Sequence, residues 1–435
     1  MQMAWFMVKS ITRHLNKVKK NFYTHMSKPI LNEGYNNKDT IFFDSGYKDN
    51  IFSNKKKYID LGFCSGANLL GHNLKFQSEI LKKYLNKQIS NFSSPNLHAI
   101  NLSLELRKIL PNFSKFIFCN SGSEANIKAL RICRALTGKS KVVTATGSWH
   151  GSVDQFLFKP NRKLNNEKLS DGVTNEQKKN LIYIPYNNIN LSKRILEKNK
   201  KKISCVFIEP IQGCLPNVEA KYYLEFLSKY CKKNNIILVF DEMITGIRTN
   251  MGSAQQYFKL KTDISTFGKA FANGMPIGFV GISKKIEQQI KKKKLNIYFG
   301  GTFSGNSMTT FFAKEYLVYL RKNKNKVFSY LEKISKKFET HINSFCNENN
   351  IDVRVYRFFS MIRLIYTSKE VSDRSSRDLF ERKKSKDIEK LKSFLIKNSI
   401  YYPKNGIIFF SYSSSPKNFL NIIKYFEKGL KKFFS

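Results

Sequence analysis

A lysine and an acidic pair carry the first chemical signal. Lys269 stands between Gly268 and a Gly-Met-Pro turn in the stretch from Ser265 to Gly278. Asp241-Glu242 ends a strongly apolar run 269 − 241 = 28 residues earlier. The chain is rich in lysine, so the residue type alone carries nothing. A carboxylate at one strand end and an amine in a glycine-flanked turn beyond the next element can face each other across a flat cofactor. Such an amine can form a Schiff base with a carbonyl, and such a carboxylate can keep a ring nitrogen protonated. Pyridoxal phosphate (PLP) has both needs. It also requires a phosphate site and apolar partners for its ring faces.

The elements that would position these groups are legible. Phe116 to Cys119 is a short apolar strand running into Asn120-Ser121-Gly122-Ser123-Glu124-Ala125, and a helix to about Thr137 follows, closed by Gly138. Ser121 and Glu124 have capping-box spacing. Helix N-termini favour phosphate, although an ordinary capped helix would read the same way. The strand from Lys141 to Thr146 leads to Trp149-His150-Gly151. Trp149 can stack on a planar ligand or simply cover the core edge, and His150 reads as a structural hydrogen-bonding residue. Ile203 to Ile208 is a buried strand ending in Glu209-Pro210. The apolar positions Tyr223, Phe226, Leu227, Tyr230 and Cys231 then mark an amphipathic helix, and Ile236 to Phe240 leads into Asp241. This strand–helix–strand order predicts a parallel α/β sheet, with ligands at the strands' carboxyl ends. Ile277 to Ile282 is a further strand. Residues 159 to 181 read as a polar surface excursion. After a long helix beginning near Met308 the pattern becomes a smaller α+β region, with strands around Val353 to Tyr366 and Ile407 to Tyr412.

Composition excludes several classes. At 435 residues with 41% apolar and 14% aromatic content, the chain can bury a large core. The net charge is +44, from 76 Lys+Arg against 32 Asp+Glu. The lysines are spread through the chain without an arginine-rich helix or zinc spacing, so compositional drift is favoured over specific nucleic-acid binding. The seven cysteines include no C-x-x-C, which fits a reducing compartment and argues against a disulfide or zinc framework. Met1 to Val8 is apolar and Lys9 to Lys20 basic, an order and length unsuited to a secretory signal or a membrane span. A frayed basic N-terminus and a cytoplasmic protein are expected.

Taken in order, these blocks resemble class III aminotransferases of PLP-dependent fold type I, and most of all glutamate-1-semialdehyde aminomutases. The likeness rests on Asn120-Ser-Gly-Ser-Glu-Ala125, Trp149-His-Gly151, Glu209-Pro210, Asp241 to Arg248, Gly268-Lys269, Gly274-Met-Pro276 and Gly301-Thr-Phe-Ser-Gly-Asn306. It implies a large PLP-binding domain over 62–315 with a mostly parallel sheet. A smaller α+β domain would be built from 1–61 and 316–435. It also implies transfer of an amino group from a small-molecule donor to a carbonyl acceptor, through a Lys269 Schiff base and a pyridoxamine form. In this reading Asp241 partners the ring nitrogen, and Ser121, Gly122 and Ser123 hold the phosphate. Trp149 and Met243 cover the ring faces, and Glu209 orients the substrate or the ring's hydroxyl side. Thr302 reaches the cofactor of a neighbouring subunit in a homodimer. Glu242 and Arg248 read as a structural pair.

The substrate end departs from the resemblance. Glutamate-1-semialdehyde aminomutases carry a glutamate near the gate of the site, yet no carboxylate lies between Ile400 and Ser415 here. They also use an arginine near the N-terminal strands, and none lies between His25 and Leu61. Arg363 replaces a glycine of their C-terminal strand motif, either as a relocated anion binder or as an exposed strand residue. True aminomutase chemistry, in which the amine moves within one molecule, is therefore the alternative. A PLP-fold protein without turnover is the third reading, and retention of both Lys269 and Asp241 weighs against it.

Overall fold

The computed structural model describes residues 41–435 apart from 93 and 162, together with Thr24. The expected frayed basic N-terminus, Met1 to Lys20, lies outside the described residues.

Seven strands form the central sheet: β1 (Lys115–Cys119), β2 (Lys141–Ala145), β3 (Leu181–Ile184), β4 (Ile203–Ile208), β5 (Ile237–Asp241), β6 (Ile264–Gly268) and β7 (Gly278–Ile282). Their spatial order is β1-β7-β6-β5-β4-β2-β3. β5 pairs in parallel with β4 and β6, and β2 in parallel with β3 and β4. Only β7 runs against its neighbours, β6 and β1. Every residue of β4, β5, β6 and β7 is buried. β4, β5 and β7 accordingly read as largely apolar runs, as expected when both sheet faces are covered, whereas β6 buries Ser265 and Thr266 in its middle.

This topology puts the carboxyl ends of β1, β2, β4, β5 and β6 on one edge. Helix Gly122–Thr137 starts there, directly after β1. Ser121 caps it by accepting the Glu124 N–H at 3.2 Å, and Gly138 closes it with φ +66°.

The rest of the chain packs around a second core. Arg354–Phe358, Met361–Ile365 and Ile407–Phe409 form an antiparallel sheet. The C-terminal helix Pro416–Phe434 covers it with Phe419, Ile422 and Phe426, and Ile59 and Leu61 join the same core. The strand Lys56–Asp60 pairs in parallel with Ile400–Tyr401. The stretch from 159 to 181 is more ordered than a plain polar excursion. It holds a hairpin of Phe158–Pro160 with Asn166–Lys168, and a short helix, Asn175–Lys179.

Candidate active site

Asp241 is the last residue of β5 and is 3% exposed. A carboxylate this deep is tolerable only when its oxygens are hydrogen-bonded. Its Oδ2 accepts from His150 Nδ1 at 2.8 Å and Asn126 Nδ2 at 3.0 Å, and its Oδ1 accepts the Met243 N–H at 3.1 Å. His150 is held from its other side by Thr144 Oγ1, 3.0 Å from Nε2. Its ring packs between Phe156 and Phe207, with centroids at 4.6 and 4.9 Å. The structural hydrogen bond expected of His150 is thus made to the site's own carboxylate. Asn126 and Thr144 are site residues that the sequence reading missed.

Lys269 follows β6 directly. In the sheet Asp241 is opposite Thr266, so Lys269 lies three residues further along the adjacent strand direction. That advance is roughly 10 Å, enough to leave a flat ring between carboxylate and amine. Lys269 has φ +47°, a conformation uncommon outside glycine. The turn it begins is pinned from outside: Asn273 Oδ1 accepts the Leu70 N–H at 2.8 Å, and Asn273 Nδ2 donates to the Gly71 carbonyl at 3.1 Å.

At the end of β1, the N–H groups of Gly122 and Ser123 open the helix and have no acceptor among the described residues, as befits a first turn. Ser123 Oγ accepts the Ser152 N–H at 3.0 Å. Glycine makes room here. A Cβ on Gly151, whose φ is +77°, would stand 2.4 Å from Ser123 Oγ. A Cβ on Gly122 or on Gly268 would stand 2.9 Å from Met243 Sδ, so the turn at the helix start, the lysine turn and Met243 converge.

Glu209, after β4, is buried. Its Oε1 accepts the Trp149 N–H at 2.7 Å and its Oε2 the Gly213 N–H at 3.2 Å. Burial pushes its carboxyl up to about 7. The Asp241 charge adds to the rise, while His150 and the two N–H donors pull the other way. Trp149 remains half exposed on the loop so held. Thr302 lies in an exposed turn beside Phe92, Pro95, Asn96 and Ile100 at the outer edge of β1, outside the strand-end group.

Two expectations are corrected. Glu242 and Arg248 do not pair. Glu242 accepts from Thr245 Oγ1 and the N–H groups of Ala254 and Gln255, whereas Arg248 donates to the Ile244 and Gly66 carbonyls and to Ser360. Each is buried; beyond their own loop, Glu242 is held by the N–H groups of Ala254 and Gln255 and Arg248 by Gly66 and Ser360. Arg363 is not an exposed strand residue: it is buried and ion-pairs with Glu381 at 2.9 Å.

A hydroxyl-lined helix N-terminus and a buried carboxylate on the strand next to the lysine turn fit PLP. The family pattern described as "Aminotransferase class-III" matches residues 50–369. The glutamate-1-semialdehyde 2,1-aminomutase of Thermodesulfovibrio yellowstonii is 33% identical over 346 residues, 78% of each chain. That of Methanocaldococcus jannaschii is 31% identical over 355 residues, 80% of each. The chain belongs to the class III aminotransferase family. Its fold is that of the PLP-dependent transaminases. An omega-transaminase from Sphaerobacter thermophilus superposes with a TM-score of 0.84 at 20% identity, covering 94% of this chain and 99% of that one. As a class III aminotransferase it is a PLP-dependent enzyme acting on small molecules. No helix among the described residues is long and apolar enough to cross a membrane.

Proposed function

We propose that the chain transfers an amino group from a small-molecule donor to a carbonyl acceptor, with Lys269 and Asp241 as its working pair. The observation that carries this reading is their position on adjacent strand ends, beside the open helix start at Gly122 and Ser123. Bound PLP supplies a carbonyl that takes the donor's amine and a ring that withdraws electrons from the bond being broken. Lys269 would hold the cofactor and shuttle the proton between substrate carbon and cofactor carbon. Asp241, held by three hydrogen-bond donors, would partner the ring nitrogen. Ser121, Gly122 and Ser123 bind the phosphate. Trp149 and Met243 cover the ring faces, and Glu209 orients the ring's hydroxyl side or the substrate.

The working unit in this reading is a homodimer in which Thr302 reaches the partner's cofactor. Support comes from helix Leu97–Ile109, whose Leu97, Ile100 and Leu104 are 72, 50 and 56% exposed at helical spacing, next to the Thr302 turn. The expected division, 62–315 as the large domain and 1–61 with 316–435 as the small one, is proposed here for the described residues from 41 onward. The parallel pairing of Lys56–Asp60 with Ile400–Tyr401 supports that division. Seven free cysteines support a cytoplasmic setting.

The second reading is intramolecular transfer by a glutamate-1-semialdehyde 2,1-aminomutase, favoured by the names of the relatives at 31 and 33% identity. A half-reaction screen separates the two. Each amino donor is added to PLP-loaded protein, and the cofactor spectrum and keto product are followed. Release of a keto product supports transamination. Isomerisation of glutamate 1-semialdehyde without a second substrate supports the alternative. No spectral response to any donor or to the semialdehyde contradicts both.

A further inference from the structure

Lys128 is a buried lysine that the amine-transfer chemistry does not use. It lies in helix Gly122–Thr137, 128 − 122 = 6 residues past the helix start, and is 4% exposed. Its Nζ donates to the Phe118 carbonyl at 3.0 Å and to Ser304 Oγ at 3.2 Å. Both acceptors are neutral. Glu124, one turn earlier on the same helix, spends its carboxylate on the Asn120 N–H and the Ser121 hydroxyl. Lysine is almost never fully buried unless it is paired with a charge, and taking its amine out of water is costly. What this lysine ties together is therefore informative.

Ser304 belongs to the exposed turn that carries Thr302. The second half of that turn is held from several sides. Asn96 Nδ2 donates to the Gly305 carbonyl at 2.9 Å, and Asn306 caps helix Ser307–Lys322 by accepting the Thr309 N–H at 2.8 Å. The first half closes on itself, with the Ser304 N–H donating to the Gly301 carbonyl at 2.9 Å. Among the described residues, Lys128 alone reaches residues 301–304 by a hydrogen bond from outside the turn. A Cβ on Gly301 would stand 2.6 Å from Ser304 Oγ. The hydroxyl that Lys128 holds thus lies against Gly301, and the contact fixes both flanks of Thr302.

One helix thereby serves two ends. Its first N–H groups open beside the lysine turn of this chain. Six residues later, Lys128 fixes a turn at the outer edge of β1, beside the exposed start of helix Leu97–Ile109. In the homodimer reading, the helix start holds this chain's own cofactor phosphate and the turn reaches the partner's.

We propose that Lys128 is a positioning residue acting across the dimer: through Ser304 it holds Thr302 in place for the partner's cofactor. The proposal rests on the homodimer reading of the Thr302 turn. Lys128→Met keeps the stem and removes the amine, and Ser304→Ala cuts the same contact from the other side. Each protein is loaded with PLP and diluted. The PLP remaining on Lys269 is followed by borohydride reduction and peptide mass mapping, and light scattering reports the dimer. PLP is expected to leave Lys269 about tenfold or more faster in Lys128→Met than in wild type. It should also leave faster in Ser304→Ala, and no faster in the double variant than in Lys128→Met. A hybrid dimer of one Lys128→Met and one Lys269→Ala protomer, isolated with two affinity tags, separates the two possible routes. Its single Lys269 lies in the Lys128→Met protomer and receives the intact turn of the other, so the wild-type rate should return. An unchanged rate in Lys128→Met, or a hybrid as fast as the Lys128→Met homodimer, would overturn the proposal. The second result would assign Lys128 to its own helix start. Where Lys128→Met does not fold, a hybrid of Ser304→Ala with Lys269→Ala makes the same comparison. A wild-type monomer would instead contradict the homodimer reading, and a label away from Lys269 the amine-transfer reading.

Discussion

Asp241 accepts two donors on Oδ2 but only one, the Met243 N–H, on Oδ1. A carboxylate oxygen has room for two, so in the proposed site Oδ1 is the atom that would meet the ring nitrogen. His150 then matters as a donor and not as a filler between Phe156 and Phe207. His150→Phe keeps an aromatic in that space and removes the donor. His150→Asn keeps a side-chain N–H near the Nδ1 position. We expect turnover to fall about tenfold or more in His150→Phe, the worth of one hydrogen bond to a charged group, with partial recovery in His150→Asn. Equal losses in both would assign His150 to packing alone. Glu209 gives a second test at this scale. Its folded pKa of about 7 lies above the ordinary 4.5, so its stabilising effect is complete below that ordinary value and is lost as pH rises through the folded pKa. The thermal midpoint of apoprotein should therefore fall between about pH 4.5 and pH 7 more steeply than that of Glu209→Gln. Parallel curves would contradict the shift. Asp241 and Glu209 were legible because each stands at the end of an unmistakable apolar strand, and Lys269 because it lies in a glycine-flanked turn at a set distance beyond Asp241. Asn126 was not, since its partner is 115 positions away and nothing local distinguishes it from any polar helix residue.

At the scale of elements, the site depends on β7 running backward between β6 and β1. Gly278 opens β7 opposite Cys119 on one side and Gly268 on the other. A Cβ there would stand 2.1 Å from the Ser121 carbonyl oxygen, a backbone atom that cannot swing aside. Gly278→Ala should destabilise by roughly 1–3 kcal/mol, the usual cost of overpacking, and should weaken PLP binding by displacing the helix start at Ser121. Chemical denaturation and PLP titration check the two effects. Unchanged values for both would show that the strand end can yield. The presence of this strand was readable from its apolar run, but its direction was not. A strand buried on both faces gives no alternation and so no clue to its neighbours. Glu242 and Arg248 illustrate the same limit: they read as a structural pair in the loop after the strand, and the partners they actually meet are set by tertiary packing.

For the whole molecule, the exposed apolar face of helix Leu97–Ile109 and the Thr302 turn form one surface. Ile100→Asp would place a charge in it. We expect this variant to shift the protein from dimer toward monomer by light scattering and to bind PLP more weakly, because the partner's Thr302 is then lost. A wild-type monomer, or a variant dimer with unchanged PLP affinity, would contradict the shared site.

The proposed amine transfer turns on Lys269. Purified protein is loaded with PLP, reduced with borohydride, digested and mapped by mass spectrometry. A phosphopyridoxyl group on Lys269, absent in Lys269→Ala together with a loss of turnover of about 10²–10⁴-fold or more, is the predicted result. A label on another lysine, or turnover that survives Lys269→Ala, would contradict it.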